Sequence, residues 1–350
     1  MNNHPISTLL IAWYHQNKRN LPWRNSRNPY FIWLSEVILQ QTRVDQGTAY
    51  YHKFTEKYPD VADLAMASEE DVMLSWQGLG YYSRARNLHA AAKSVVAEHN
   101  GKFPKTYQDI RNLKGVGDYT AAAVASIAFG MPYAAVDGNV NRVISRLFEV
   151  EENPLLPPGK KKILEISNTL LYTEDPGSYN QAMMELGATL CKPRNPSCDI
   201  CPISQHCGAF ASVRQHDFPV KGEKTKVKTR FLHFVLFKDA ENRLLVSRRA
   251  TNDIWKGLYQ FPLLETDGPV EPHALNIPGT ENMTLTKVQS NIRHLLTHRE
   301  LIIGFYHFEG EKLPNKQWEH YEVIHLSDLN KLAFPRAITR YLESAFNTQE

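Results

Sequence analysis

The stretch Cys191-Lys192-Pro193-Arg194-Asn195-Pro196-Ser197-Cys198-Asp199-Ile200-Cys201-Pro202-Ile203-Ser204-Gln205-His206-Cys207 holds all four cysteines of the 350-residue chain, in the pattern Cys-x6-Cys-x2-Cys-x5-Cys. With no thiol elsewhere to pair with, such crowding suits a metal centre better than a disulfide framework. Zinc sites usually present two separated close pairs, whereas a single loop of thiolates can wrap one cubane. An iron-sulfur cluster is therefore the favoured occupant, and a structural zinc knot the alternative. Lys192 and Arg194 charge the loop and Pro193, Pro196 and Pro202 stiffen it. The cluster is thus expected to brace a phosphate-contacting surface rather than to transfer electrons.

Around this loop the chain is 42% hydrophobic, long enough for two domains with separate cores and too apolar for a disordered protein. Forty Lys and Arg face 37 Asp and Glu, a formal charge of only +3, so attraction to nucleic acid must come from local patches. No apolar run reaches membrane-spanning length, and Met1–Leu10 lacks a basic segment followed by an apolar one. The expectation is a soluble, unexported, cytoplasmic protein with no membrane partner.

Upstream of the cysteines, from Ile6 to about Ala211, the sequence reads as successive helices. Asn28-Pro29 is a cap and first-turn pair opening a helix to Thr42, and Thr106 opens another with Asp109 in its first turn. Leu113-Lys114-Gly115-Val116-Gly117 is a tight turn feeding a small-residue helix, Thr120 to Phe129. Further helices are expected from Asp137-Gly138 to about Phe148 and from about Tyr179 to Leu190. Downstream, Lys221, Lys224, Lys226, Lys228 and Arg230 form a polar stretch, read as an exposed linker able to touch phosphates. Phe231–Phe237, Arg243–Arg248, Leu301–Phe308 and His320–His325 have strand character, with a closing helix after Pro335.

Two carboxylates carry the chemistry. Glu36 has Ile32, Trp33, Leu39 and Gln40 as its helical neighbours, an apolar setting in which burial raises a carboxyl pKa and keeps a proton available near neutrality. Asp137, before Gly138-Asn139-Val140-Asn141-Arg142, is expected to be ionised at a helix N-terminus, its pKa lowered by N–H donors and the dipole. Alone it reads as an ordinary N-cap. Pairing an acid whose environment raises its pKa with one whose environment lowers it divides acid and anion roles. At the Leu113–Gly117 turn, two glycines with positive φ would lead into a helix whose free N–H groups make a phosphate site.

The cysteine loop, the segment Tyr179-Asn180-Gln181-Ala182-Met183-Met184-Glu185-Leu186-Gly187 and the Leu113–Gly117 turn together resemble the endonuclease III superfamily of DNA glycosylases, in its adenine-glycosylase (MutY) branch. The resemblance implies an N-terminal all-α helix-hairpin-helix glycosylase fold over residues 1–211 with a [4Fe-4S] cluster held by Cys191, Cys198, Cys201 and Cys207. Within it a six-helix barrel module would span about 25–134, and a cluster module would join the N-terminal helix to about 135–211. A basic linker, 212–230, would lead to a C-terminal α+β Nudix-like domain, 231–350, that recognises 8-oxoguanine.

It further implies a monomer acting on double-stranded DNA with adenine opposite 8-oxoguanine or guanine. Glu36 would protonate the leaving adenine and activate water, Asp137 would stabilise the sugar cation, and Asn139 and Tyr119 would orient them. Tyr119 stands where lyase members have a nucleophilic lysine, implying a monofunctional enzyme. Gln181, Arg24 and Trp23 would line the adenine pocket. Gln41 and Tyr81 would fill the gap left by the flipped base, and Lys114, Gly115, Val116 and Gly117 would hold phosphate and a backbone-bound cation. His294-Leu295-Leu296-Thr297-His298 is similar to the family's 8-oxoguanine loop, with Thr297 and His298 as its readers; Leu296 departs from the usual aromatic wedge.

Three alternatives compete. An endonuclease III-like pyrimidine glycosylase and lyase shares fold and cluster but is disfavoured by Tyr119 and the added domain. A noncatalytic DNA-binding iron-sulfur protein has no need of Glu36 and Asp137 together. A nucleotide hydrolase needs a glutamate-rich metal helix that Phe231–Glu350 lacks.

Overall fold

The computed structural model describes residues 4–222, 227–250, 253–314 and 318–346; Lys224 and Lys226 of the basic stretch lie outside the described residues. The helices run α1 Pro5–Asn17, α2 Pro29–Leu39, α3 Val44–Lys57, α4 Val61–Met66, α5 Glu69–Trp76, α6 Ser83–His99, α7 Tyr107–Asn112, α8 Asp118–Phe129, α9 Gly138–Leu147, α10 Pro157–Thr169, α11 Pro176–Thr189 and α12 Gly208–Ala211. Strands β1 Lys228–Lys238, β2 Arg243–Arg248, β3 Tyr259–Gln260, β4 Leu263–Thr266, β5 Met283–Leu295, β6 Arg299–Gly310 and β7 Glu322–His325 follow, closed by α13 Arg336–Phe346. Two compact units result: Met1–Ala67 with Arg86–Glu223, and Ser68–Ala85 with Lys224–Glu350. The sequence reading runs the helical domain unbroken from residue 1 to 211, whereas α5 and the glycine turn after it pack with the C-terminal residues. No helix among the described residues is long and apolar enough to cross a membrane.

In the first unit local chemistry sets the helix ends. Asn28 accepts the Tyr30 N–H at 3.0 Å with Pro29 in the first turn, so α2 starts where the cap pair predicts. It stops at Leu39 rather than continuing to Thr42, because Gln41 turns left-handed at φ +56°. Alanines 121, 122, 123 and 125 bury a flat face of α8, on which α2 packs. Helix α11 lies against α8, α9 and α1, and Leu10, Tyr14, Ile144, Tyr179 and Met183 close the core beneath it.

The hairpin differs from expectation in one respect. Gly115 is left-handed at φ +78°, and a Cβ there would stand 2.6 Å from Asn87 Cβ. Gly117 is the N-cap of α8 at φ −93°, a conformation open to any residue, because the turn reverses within Gly115 alone.

In the second unit the sheet order is β3-β2-β1-β6-β5, with β4 on β1 and β7 on β2. Strands β1 and β6 run parallel from Lys228 opposite Arg299 to Lys238 opposite Glu309; the other pairs are antiparallel. Leu232, Phe234 and Leu236 face Ile338 and Tyr341 of α13, while Val235 and Phe237 face Trp318, so the central strand is apolar on both sides. Lys228 and Arg230 belong to this strand rather than to a linker. Arg230 is bound to Asp253 at 2.8 Å and Glu265 at 2.6 Å, which occupies its guanidinium within the domain.

Candidate active site

Four helices and a short turn converge on one cavity of about 730 Å³ in the helical unit. The 3-10 turn Pro22–Asn25 brings Trp23 and Arg24, α2 brings Glu36, α8 brings Tyr119, the α9 cap brings Asp137 and Asn139, and α11 brings Gln181, Met184 and Glu185. Gln41 lines the same cavity from the left-handed residue after α2.

Glu36 is 9% exposed and its pKa is pushed from the ordinary 4.5 to about 7. Burial is the main cause and the charge of Asp137 adds to it, against a hydrogen bond from Tyr119 and the positive field of Arg24. The Tyr119 hydroxyl donates to Glu36 Oε2 at 2.5 Å and lies 3.2 Å from Met184 Sδ. A carboxyl poised near neutrality and held by a phenol can both give and take a proton.

Asp137 departs from the reading of its sequence context. It accepts the Val140 N–H at 2.7 Å and Asn139 Nδ2 at 2.8 Å, the expected cap. Yet burial outweighs these donors, and its pKa is raised rather than lowered. Asp137 lines the cavity and α9 packs on α11, surroundings that a capping pattern does not reveal.

Behind Asp137 the network continues to the cysteine loop. Arg142 Nη2 donates to Asn139 Oδ1 at 2.9 Å and to the Gly187 carbonyl at 2.8 Å, and its Nε to the Cys191 carbonyl at 2.8 Å. Arg146, nearly inaccessible, donates to the carbonyls of Lys192, Pro193, Gln215 and Phe218 and approaches Cys191 Sγ at 3.4 Å. A guanidinium buried against sulfur is matched by a thiolate bound to metal, not by a neutral thiol. Among the described residues no three His, Cys, Asp or Glu side chains converge on a single ion. Burial pushes the Cys201 thiol up to about 11, against a hydrogen bond from the Ile203 backbone, and the neighbouring Cys191, Cys207 and Cys198 add to the rise.

Sequence reasoning missed the partner of Arg24. Glu185 is buried between Arg24, at 2.7 Å, and Arg19, which meets it with Nε at 2.8 Å and Nη2 at 2.7 Å. Burial would raise this carboxyl, but the hydrogen bonds from Arg19 and Arg24 hold it at about 2. The signal was in the quoted α11 segment, since Glu185 follows Gln181 by one helical turn. Gln181 itself accepts from the Tyr14 hydroxyl at 3.2 Å.

Lys114, Gly115, Val116 and Gly117 do not line the cavity; they form the turn before α8. In the second unit Tyr81 and Thr297 meet hydroxyl to hydroxyl at 2.9 Å, and the His298 carbonyl accepts the Lys228 N–H at 3.4 Å.

Comparison with known proteins gives a consistent picture. Residues 34–171 match the HhH-GPD superfamily of base excision DNA repair proteins, residues 191–207 the iron-sulfur binding domain of endonuclease III, and residues 233–344 the NUDIX domain. An adenine DNA glycosylase of Buchnera aphidicola from Acyrthosiphon pisum is 32% identical over 290 residues, covering 81% of this chain and 82% of that one. The adenine DNA glycosylase of Arabidopsis thaliana is 36% identical over 311 residues, 77% of this chain, which spans about half (49%) of that relative. Among solved structures, a thermostable thymine-DNA glycosylase is similar at a TM-score of 0.55 and 30% identity, over 59% of this chain and 95% of that one. The cavity with its buried acid, the cysteine loop beside it and these likenesses together assign the chain to the adenine DNA glycosylase family of helix-hairpin-helix base excision repair proteins.

Proposed function

We propose that the protein hydrolyses the N-glycosidic bond of adenine mispaired with 8-oxoguanine or guanine, without cutting the strand. The observation that carries this reading is the pairing of Glu36, at about 7 and 2.5 Å from Tyr119, with Asp137 in one cavity large enough for an extruded nucleoside.

Protonated Glu36 gives its proton to a ring nitrogen of the flipped adenine, and the C1′–N electron pair leaves with the base. The sugar cation that remains is stabilised by the carboxylate of Asp137, which Asn139 and the Val140 N–H keep in place. Glu36, now an anion, takes a proton from the water that adds to C1′, and is ready for another turnover. Tyr119 offers no amine, so no Schiff base forms and the strand stays intact. Arg24, fixed by Glu185, and Gln181 address the edge of the base, with Trp23 beside them. Cys191, Cys198, Cys201 and Cys207 would hold the cluster, whose contribution is to brace the loop that Arg142 and Arg146 tie to α9. The N-terminus of α8 behind Lys114–Gly117 suits a phosphate. Gln41, Tyr81, Thr297 and His298 are assigned to the mispair, and the protein acts as a monomer on the duplex.

Single-turnover assays on duplexes with adenine opposite 8-oxoguanine, guanine or thymine test the reading. Release of adenine from the first two, leaving an alkali-labile but uncut strand, is expected. Strand scission without alkali, or excision confined to oxidised pyrimidines, would overturn it.

A further inference from the structure

The turn between α5 and α6 holds three residues with positive φ within four positions: Gly78 at φ +98°, Gly80 at φ +73° and Tyr81 at φ +47°. Glycine adopts this region freely, but a tyrosine there costs on the order of 1 kcal/mol and persists only where its surroundings over-determine it. Tyr81 is moreover 48% exposed, so its own burial does not supply the restraint.

Arg84 does. Its Nη2 reaches the carbonyls of Leu79, at 3.4 Å, and Gly80, at 3.3 Å, and its backbone N–H donates to the Tyr81 carbonyl at 2.9 Å. Trp76 Nε1 donates to the same Gly80 carbonyl at 3.1 Å. The guanidinium itself is buried in contact with two rings, 5.0 Å from the Trp76 centroid and 5.6 Å from that of Tyr81. A flat cation against two aromatic faces is attracted to both and resists rotation of either. One side chain thereby fixes both the carbonyls that set the turn and the ring that the turn presents.

We infer that Arg84 is a positioning residue for the mispair. It holds Tyr81 preformed in its left-handed turn, with the hydroxyl on Thr297, so that the ring enters the duplex without first being ordered. Preorganisation of this kind removes the cost of immobilising the wedge at the moment of base extrusion. The inference rests on the reading of Tyr81 as the wedge.

The test is a double-mutant cycle read by extrusion rather than by turnover. The full-length protein is bound to a duplex carrying 2-aminopurine in place of the target adenine, opposite 8-oxoguanine, and the fluorescence rise on unstacking is measured. Tyr81→Ala is expected to lower the extruded fraction about tenfold, Arg84→Gln to lower it comparably, and the double variant no further than Tyr81→Ala. Arg84→Lys keeps the charge but not the flat face, and is expected to lose most of the extrusion while melting within a few degrees of the parent. Multiplying effects in the double variant, or full extrusion by Arg84→Lys, would overturn the positioning role and leave the wedge reading standing. Full extrusion by Tyr81→Ala would remove the wedge reading, and the inference with it.

Discussion

The Tyr119 hydroxyl donates to Glu36 Oε2 across 2.5 Å, joining α8 to α2 at the floor of the cavity. Because that hydrogen bond lowers the Glu36 pKa against the stronger effect of burial, it tunes the acid toward neutrality. Tyr119→Phe is expected to move the alkaline limb of the single-turnover pH–rate profile upward from about 7, with a rate loss of about tenfold at its optimum. An unmoved limb would remove Tyr119 from the control of the acid.

Glu36→Gln is expected to slow excision by about a hundredfold or more while leaving affinity for the mispaired duplex within a few-fold. The same change bears on stability. The folded pKa is raised, so between about 4.5 and 7 the folded state binds more protons than the unfolded one, and the charged carboxylate destabilises the fold progressively as pH rises through that window. At pH 8 the variant should therefore be more stable than the parent, by at most on the order of 3 kcal/mol. Thermal melts at pH 5 and pH 8 check the sign: the difference should appear at pH 8 and shrink at pH 5.

Glu185 behaves oppositely. Its pKa is held at about 2 by Arg19 and Arg24, so its stabilisation is complete above 4.5 and fades as pH falls toward 2. Glu185→Gln leaves two guanidinium groups short of a buried counter-charge and is expected to cost about 3 kcal/mol or more. It should also weaken adenine binding through Arg24. Urea melts of variant and parent at pH 7 measure the first effect, and inhibition by free adenine the second.

The two hairpin glycines should separate cleanly. Gly115→Ala meets Asn87 in a left-handed turn, so a loss of about 1–2 kcal/mol and a weakened grip on DNA are expected. Gly117→Ala, with nothing within 4 Å of the added methyl, should change stability by less than about 1 kcal/mol. Chemical denaturation and duplex titration at one salt concentration distinguish them; equal losses would contradict the geometry.

Thr297→Ala removes the partner of the Tyr81 hydroxyl. The ratio of excision opposite 8-oxoguanine to excision opposite guanine is expected to fall several-fold, with the rate on the guanine duplex little changed. An unaltered ratio would take Thr297 out of lesion reading.

Much of this was readable before any coordinates. The Asn28-Pro29 start, the Thr106 cap and the Asp137 cap are local chemistry, and each helix begins where its capping side chain says. Buried Glu36 followed from its apolar neighbours in the sequence. What escaped depended on distant contacts. The raised pKa of Asp137 comes from burial by other helices. Strand β5, Met283–Leu295, is mostly exposed at the sheet edge and broken by register shifts at Leu285/Lys287 and Gln289/Ile292, so its burial alternates only over the last six residues, too short a run to mark the whole strand. Arg230 reads as a linker cation until Asp253 and Glu265 are found beside it.

The second unit is assembled from Ser68–Ala85 and a partner region that begins at Lys224. The first piece is held there by bonds between side chains and main chain: Arg336 Nη1 donates to the Gly78 carbonyl at 2.8 Å, Gln77 Oε1 accepts the Phe334 N–H at 3.3 Å, and the Tyr82 hydroxyl donates to the Phe334 carbonyl at 3.2 Å. During synthesis the ribosome therefore releases α5 and its turn well before the surface they need exists, and they must wait for the sheet. A chain cut short after the cysteine loop would do more than lose its NUDIX domain. It would leave the Gln77–Tyr82 turn without the partners that Phe334, Arg336 and Thr297 supply, a vulnerable patch for proteases and for aggregation.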